Sequence, residues 1–123
     1  MKKILLASAL VLSASVGFAQ SKMNFTAVLA NTEGKTITKE AIMAEPVLLS
    51  APVPSMVSSF TISFLTADKK FFGPFITTGN KLDDRAMKVV KELKKGDKIY
   101  LESIKVTSAK EFDAPTVVYT VEK

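Results

Sequence analysis

Met56-Val57-Ser58-Ser59-Phe60-Thr61-Ile62-Ser63-Phe64-Leu65 carries the clearest pattern in the chain, because Phe60, Ile62 and Phe64 alternate with Ser59, Thr61 and Ser63. A period of two with one apolar and one hydroxyl face predicts a β-strand whose apolar side enters a core. Asp68-Lys69-Lys70 follows as a polar turn, and residues 71–77 read as the returning strand. That strand contains Gly73-Pro74. Proline has no N–H to donate to a ladder, so the returning strand is expected at a sheet edge or at a bulge.

Residues 83–95 supply the lid for this pair. Asp83 suits a helix N-cap, Leu82 and Met87 suit the two ends of a hydrophobic staple, and Gly96 suits the left-handed position after the last turn. At about 100° per residue, Ala86, Val89, Val90 and Leu93 share one arc, opposite Asp84, Arg85, Lys88, Lys91, Glu92 and Lys95. The apolar arc is expected to lie on Phe60, Ile62 and Phe64.

Outside this centre the signals are shorter. Residues 25–29 read as a strand, residues 31–34 as a turn, and Thr38 as the cap of a helical connector that Pro46 stops. The segment holding Pro46, Pro52 and Pro54 also holds Val47, Leu48, Leu49 and Val53, which makes it too apolar for a solvated linker. Two strands, 98–106 and 116–121, close the chain. In the first, Ile99 and Leu101 have one parity while Ile104 and Val106 have the other, so a bulge is expected at Glu102-Ser103. The predicted fold is α+β and mainly β: about six largely antiparallel strands, as a sheet or sandwich, with one amphipathic helix packed on it.

Composition narrows the function classes. The 123 residues include 17 Lys and Arg, 12 Asp and Glu, and no Cys, His or Trp. Imidazole triads, thiolate nucleophiles, disulfides and the usual nitrogen and sulfur zinc sites are therefore excluded. Lys2 and Lys3 precede the apolar stretch 4–18, and Gly17-Phe18-Ala19 presents small residues where a signal peptidase reads. Residues 1–19 are expected to be an export signal cut after Ala19. Residues 20–123 are then a single domain, periplasmic or secreted, with no integral membrane span. The surplus of 15 basic over 12 acidic groups that remains is too small to imply nucleic acid as a partner.

No catalytic, cofactor or metal site is expected. Asp83 and Asp84 are neighbours at a helix start and point about 100° apart, so they do not make a paired-carboxylate site. Glu111 and Asp113 read as part of a polar loop before Pro115, where a weak cation contact and a plain turn are the two readings. Two surfaces are candidates for a partner instead. One is the basic helix face of Arg85, Lys88, Lys91 and Lys95, which suits an anionic envelope polymer or lipid, or simply water. The other is the edge carrying Lys69, Lys70, Phe72 and Pro74. Phe71 and Phe72 must face opposite sides of a strand, and Phe72 is taken as the one turned from the core, available to an envelope protein.

The order of motifs resembles a known family. Gly34-Lys35-Thr36-Ile37-Thr38-Lys39, then Val57-Ser58-Ser59-Phe60-Thr61-Ile62-Ser63, then Asn80-Lys81-Leu82, Leu93-Lys94-Lys95-Gly96-Asp97-Lys98 and Ile99-Tyr100-Leu101-Glu102-Ser103-Ile104 are similar to the C-terminal domain of the GldM/PorM family, periplasmic components of gliding motility and type IX secretion in Bacteroidetes. The resemblance implies a periplasmic, mainly-β module that binds proteins and has no catalytic residues. Members of that family carry a membrane helix and further domains ahead of this one. The export-signal pattern here leads to the expectation of a free-standing exported domain.

Overall fold

The computed structural model describes residues 24–122. The export signal expected over residues 1–19, with its cut after Ala19, lies outside the described residues. The chain runs β1 (Thr26–Leu29), β2 (Thr36–Ile37), α1 (Lys39–Ala44), β3 (Leu48–Ala51), β4 (Met56–Leu65), β5 (Phe71–Thr78), α2 (Asp84–Val90), β6 (Lys98–Ser108), β7 (Lys110–Ala114) and β8 (Val117–Val121). The fold is mainly β, as expected, with eight strands in two sheets and two helices among the described residues.

β4 and β6 form the centre of a six-stranded sheet, with β5 at the free side of β4. On its other side β6 pairs with β8 along its first half and with β7 along its second. These pairings are antiparallel, and β2 adds a short parallel pair to β8. β1 and β3 make a separate two-stranded antiparallel sheet. Phe60, Ile62 and Phe64 are fully buried in one core cluster with Val90 and Leu93, as the alternation and the helical arc require.

Both central strands change phase, and they do so against each other. In β6 the register skips a residue at Ser103, whose φ is 49°, and Ile99, Leu101, Ile104 and Val106 all reach the core. β4 makes the compensating shift at Ser58, since Val57 pairs with Val106 while Ser59 already pairs with Lys105. Val57 and Phe60 have opposite parity yet both are buried. The β6 bulge was legible in the sequence, and Val57 was the unread signal for the second.

Three elements differ from expectation. The Pro-flanked apolar stretch is strand β3, whose Leu48 is buried and whose partner is β1. Glu111 and Asp113 are not in a loop: they are the outward residues of β7, while Phe112 and Ala114 pack on the core, and Asp113 pairs with Lys105 across the ladder. The alternation there is real but spans only five residues, so its polar half read as a turn. Helix α2 stops at Val90 rather than running to Lys95. Beyond it the chain tightens, with the Glu92 N–H on the Val89 carbonyl at 2.9 Å and the Leu93 N–H on the Val90 carbonyl at 3.1 Å. Gly96 does take a left-handed φ of 93°, but its N–H goes to the Val121 carbonyl, 2.8 Å away in β8.

Tyr119 fastens the two sheets together. Its buried hydroxyl accepts from the Leu29 N–H at 2.9 Å and donates to the Thr32 carbonyl at 2.7 Å. Burial pushes the phenol up from its ordinary pKa.

Candidate docking groove

Strand β5 is an edge strand, and its bulge decides where its phenylalanines point. Phe72 pairs with Phe64, but Ile62 pairs with Phe75, so β5 carries one extra residue at Gly73-Pro74. Gly73 has a φ of 108°, and a Cβ on it would come within 3.1 Å of the Ile62 carbonyl oxygen, so glycine alone fits the position. The extra residue resets the alternation. Directly paired residues share a face, which puts Phe72 on the side of buried Phe64, whereas Phe71, opposite Leu65, takes the outer side. The expectation that Phe72 turns away from the core is therefore corrected. It sits on the core face, at the sheet margin, and is still 40% exposed.

The reason for that exposure is a groove. Phe72, Val89 and Leu93 wall an almost wholly apolar hollow of about 230 Å³ between β5 and the α2 segment. It continues into a more polar hollow of about 400 Å³ under the β4–β5 turn, where Lys70, Lys94 and Lys95 stand. Thr66, Glu92 and Asp97 border both. Asp97 is only 4% exposed and holds the two walls together. One of its carboxylate oxygens accepts from the Ala67 N–H at 2.9 Å, and the other accepts from the Lys94 N–H at 2.8 Å. At the turn tip the Thr66 hydroxyl donates to Asp68, which holds the Asp68 carboxyl below the usual carboxylate range.

The sequence pattern of the GldM C-terminal domain matches residues 40–122, from α1 through β8. The chain belongs to the GldM C-terminal domain family. No match is found among curated proteins. Both walls of the groove fall inside the matched span, while β1 and β2 precede it. No helix among the described residues is long and apolar enough to cross a membrane.

In this GldM C-terminal domain the two candidate surfaces partly merge. Lys70 and Phe72 from the edge meet Lys88 and Lys95 from the helix face around one groove. Lys69 stands at the turn tip with φ 73°, and Pro74 lies exposed in the bulge. Lys91 is exposed, and its carbonyl accepts from the Lys39 Nζ at 3.1 Å, linking α1 to α2. Arg85 is committed to structure. Its guanidinium lies 5.3 Å from the Phe75 ring centroid, donates to the Ile76 carbonyl at 3.1 Å, and donates to Asp83 at 2.6 Å. The hydrogen bond from Arg85 holds the Asp83 carboxyl below its ordinary range, while the other oxygen of Asp83 caps the Ala86 N–H at 3.0 Å.

Sequence reasoning missed Asp97, although Gly96-Asp97 before a strand is a turn signal that could have drawn attention to it. The charge asymmetry was also in the sequence unread. Residues 66–98 hold nine Lys and Arg against five Asp and Glu, whereas the rest of the chain after residue 19 holds six against seven. The positive surplus is thus concentrated on the segment that builds the groove. A larger hollow of about 620 Å³ lies beside the two-stranded sheet, walled by Val28, Leu49, Val53 and Met56 among others. Glu33 is the one charged residue of its lining, so nothing there selects a partner by charge.

Proposed function

We propose that this domain is an exported, periplasmic protein-docking module without catalytic activity, serving the gliding or type IX secretion machinery of Bacteroidetes. The observation that carries the reading is the exposed Phe72 on the apolar floor of a lysine-rimmed groove. A large aromatic side chain left open beside an apolar hollow is the usual anchor of a protein contact. Membership of the GldM C-terminal family supports an envelope protein as the partner.

Envelope extract passed over the immobilised protein tests this. A protein retained by wild type and released by Phe72→Ser, with binding weakened by about 2 kcal/mol or more, supports docking through the groove. Retention of no envelope protein, or retention indifferent to Phe72, counts against it. The alternative reading, an anionic envelope polymer or lipid held by the helix face, draws on the exposed Lys88, Lys91 and Lys95. Polymer binding that survives reversal of all three lysines to Glu removes that reading, since an electrostatic contact must respond to charge.

A further inference from the structure

We infer that the groove binds an extended, acidic segment of another protein, seating one bulky apolar side chain among Phe72, Val89 and Leu93 with carboxylates beside it facing Lys88 and Lys95. The inference rests on the docking reading above and adds the chemistry of the partner. The apolar hollow of about 230 Å³ opens directly onto the lysine-bearing one, so an apolar anchor and a flanking charge would be met by adjacent parts of one surface. Apolar anchors supply affinity in such grooves, and complementary charges set register and partner choice.

Charge selects the occupant. Lys70, Lys88, Lys94 and Lys95 border the groove against three acids, Asp68, Glu92 and Asp97, a surplus of one positive charge. Two of those acids, though still charged, have oxygens occupied by donors within the fold. Asp97 uses both oxygens on backbone N–H groups, and Asp68 accepts from the Thr66 hydroxyl. Glu92 remains as the third. A bilayer fits the shape poorly, because side chains that enter a membrane must protrude, and here Phe72, Val89 and Leu93 line a concavity with Glu92 at its mouth.

The test is a titration of the 15N-labelled protein with the peptide acetyl-Glu-Asp-Phe-Glu-Asp-amide, followed through backbone amide shifts. Two control peptides replace the central Phe by Ala, or the four acids by Lys. Saturable shifts centred on Phe72, Val89, Leu93 and Lys95 are expected. The affinity should fall about tenfold or more with the Ala peptide and with the double variant Lys88→Glu, Lys95→Glu. It should also weaken as salt rises from about 0.05 M to about 0.5 M. Both lysines are exposed, so the double variant keeps the fold, which its own spectrum verifies. No shifts at about millimolar peptide, equal binding of the Lys peptide, or shifts confined to the outer face near Phe71 and Ile76 would overturn the inference. So would sedimentation of the protein with phosphatidylglycerol vesicles while the acidic peptide leaves the groove unmoved. Capture of an envelope protein that depends on Phe72, together with silence toward the acidic peptide, overturns the acidic chemistry alone. Failure of both overturns the docking reading as well.

Discussion

β4 and β5 are neighbours in sequence and in the sheet, and each contributes phenylalanines to it, yet the pair ahead of the β5 bulge meets the opposite fate from those of β4, while Phe75 beyond the bulge packs on the core. Phe60 and Phe64 in β4 are fully buried, whereas Phe71 and Phe72 in β5 are 57% and 40% exposed. β4 has a partner strand on each side and the helical layer above it; β5 pairs with one strand, β4, touches α2 through Arg85 on Phe75 and Ile76, and has a bulge at its middle. Alternation assigns a side chain to a face, but cover depends on where the strand lies in the sheet. The same residue type is thus core in one strand and available surface in the next.

Removing a β4 ring should break the comparison most sharply. Phe64→Ala is expected to cost about 3 to 5 kcal/mol in denaturant unfolding, a large share of the stability of a domain this size. An unchanged midpoint would mean that the β4 face is not the core.

Asp97→Asn sharpens the boundary between the two regions, because Asp97 joins the β4–β5 turn to the segment after α2. An amide side chain offers one acceptor where two backbone donors converge, so a loss of about 1.5 to 3 kcal/mol is expected. Hydrogen exchange at the Ala67 and Lys94 amides should quicken ahead of exchange in β4; equal protection in variant and wild type would sink this role.

Tyr119→Phe removes the hydroxyl between Leu29 and Thr32 and leaves a buried N–H unpaired, an expected cost of about 1 to 2 kcal/mol. It also carries a pH signature. Because burial raises the folded phenol above its unfolded value of 10.0, the folded state retains the proton longer. That stabilisation is complete below pH 10.0 and is lost as pH rises from there through the folded value. Wild type should therefore show a fall in stability above about pH 10 that Tyr119→Phe lacks. Identical alkaline profiles would contradict the assignment.

Phe72→Ser should have the smallest effect on stability, at most about 1 kcal/mol by thermal unfolding, since the ring is only partly covered. Its effect belongs to binding. If this variant unfolds the domain as Phe64→Ala does, the contrast between β4 and β5 disappears and the groove is part of the core.

Much of this was legible because it is local. The two-residue period of β4, the Asp83 cap, the left-handed Gly96, the β6 bulge and the edge character of a strand containing Pro74 each rest on residues close together in the chain, whose spacing and backbone demands are fixed by sterics and hydrogen bonding. Part of the candidate groove was legible too: Lys70, Phe72, Lys88 and Lys95 stand out in the sequence as surface candidates, and the fold places them side by side. Their meeting was not, since it depends on how far α2 reaches across the sheet. The face of Phe72 was misread for a related reason. Gly73-Pro74 permits a bulge, and whether one forms is settled by pairing with Ile62 and Phe64 across the ladder.

Local periodicity and cap chemistry, then, determined by themselves the main strand, the start of the helix and the mainly-β class. Tertiary structure alone decided which apolar side chains are covered, where α2 ends, and which charged groups are free. Asp97 finds Ala67 across 30 positions and Tyr119 finds Leu29 across 90, separations over which no sequence period carries information. A buried polar group must find its partner wherever the packed layers bring one, and that requirement acts only once those layers have formed.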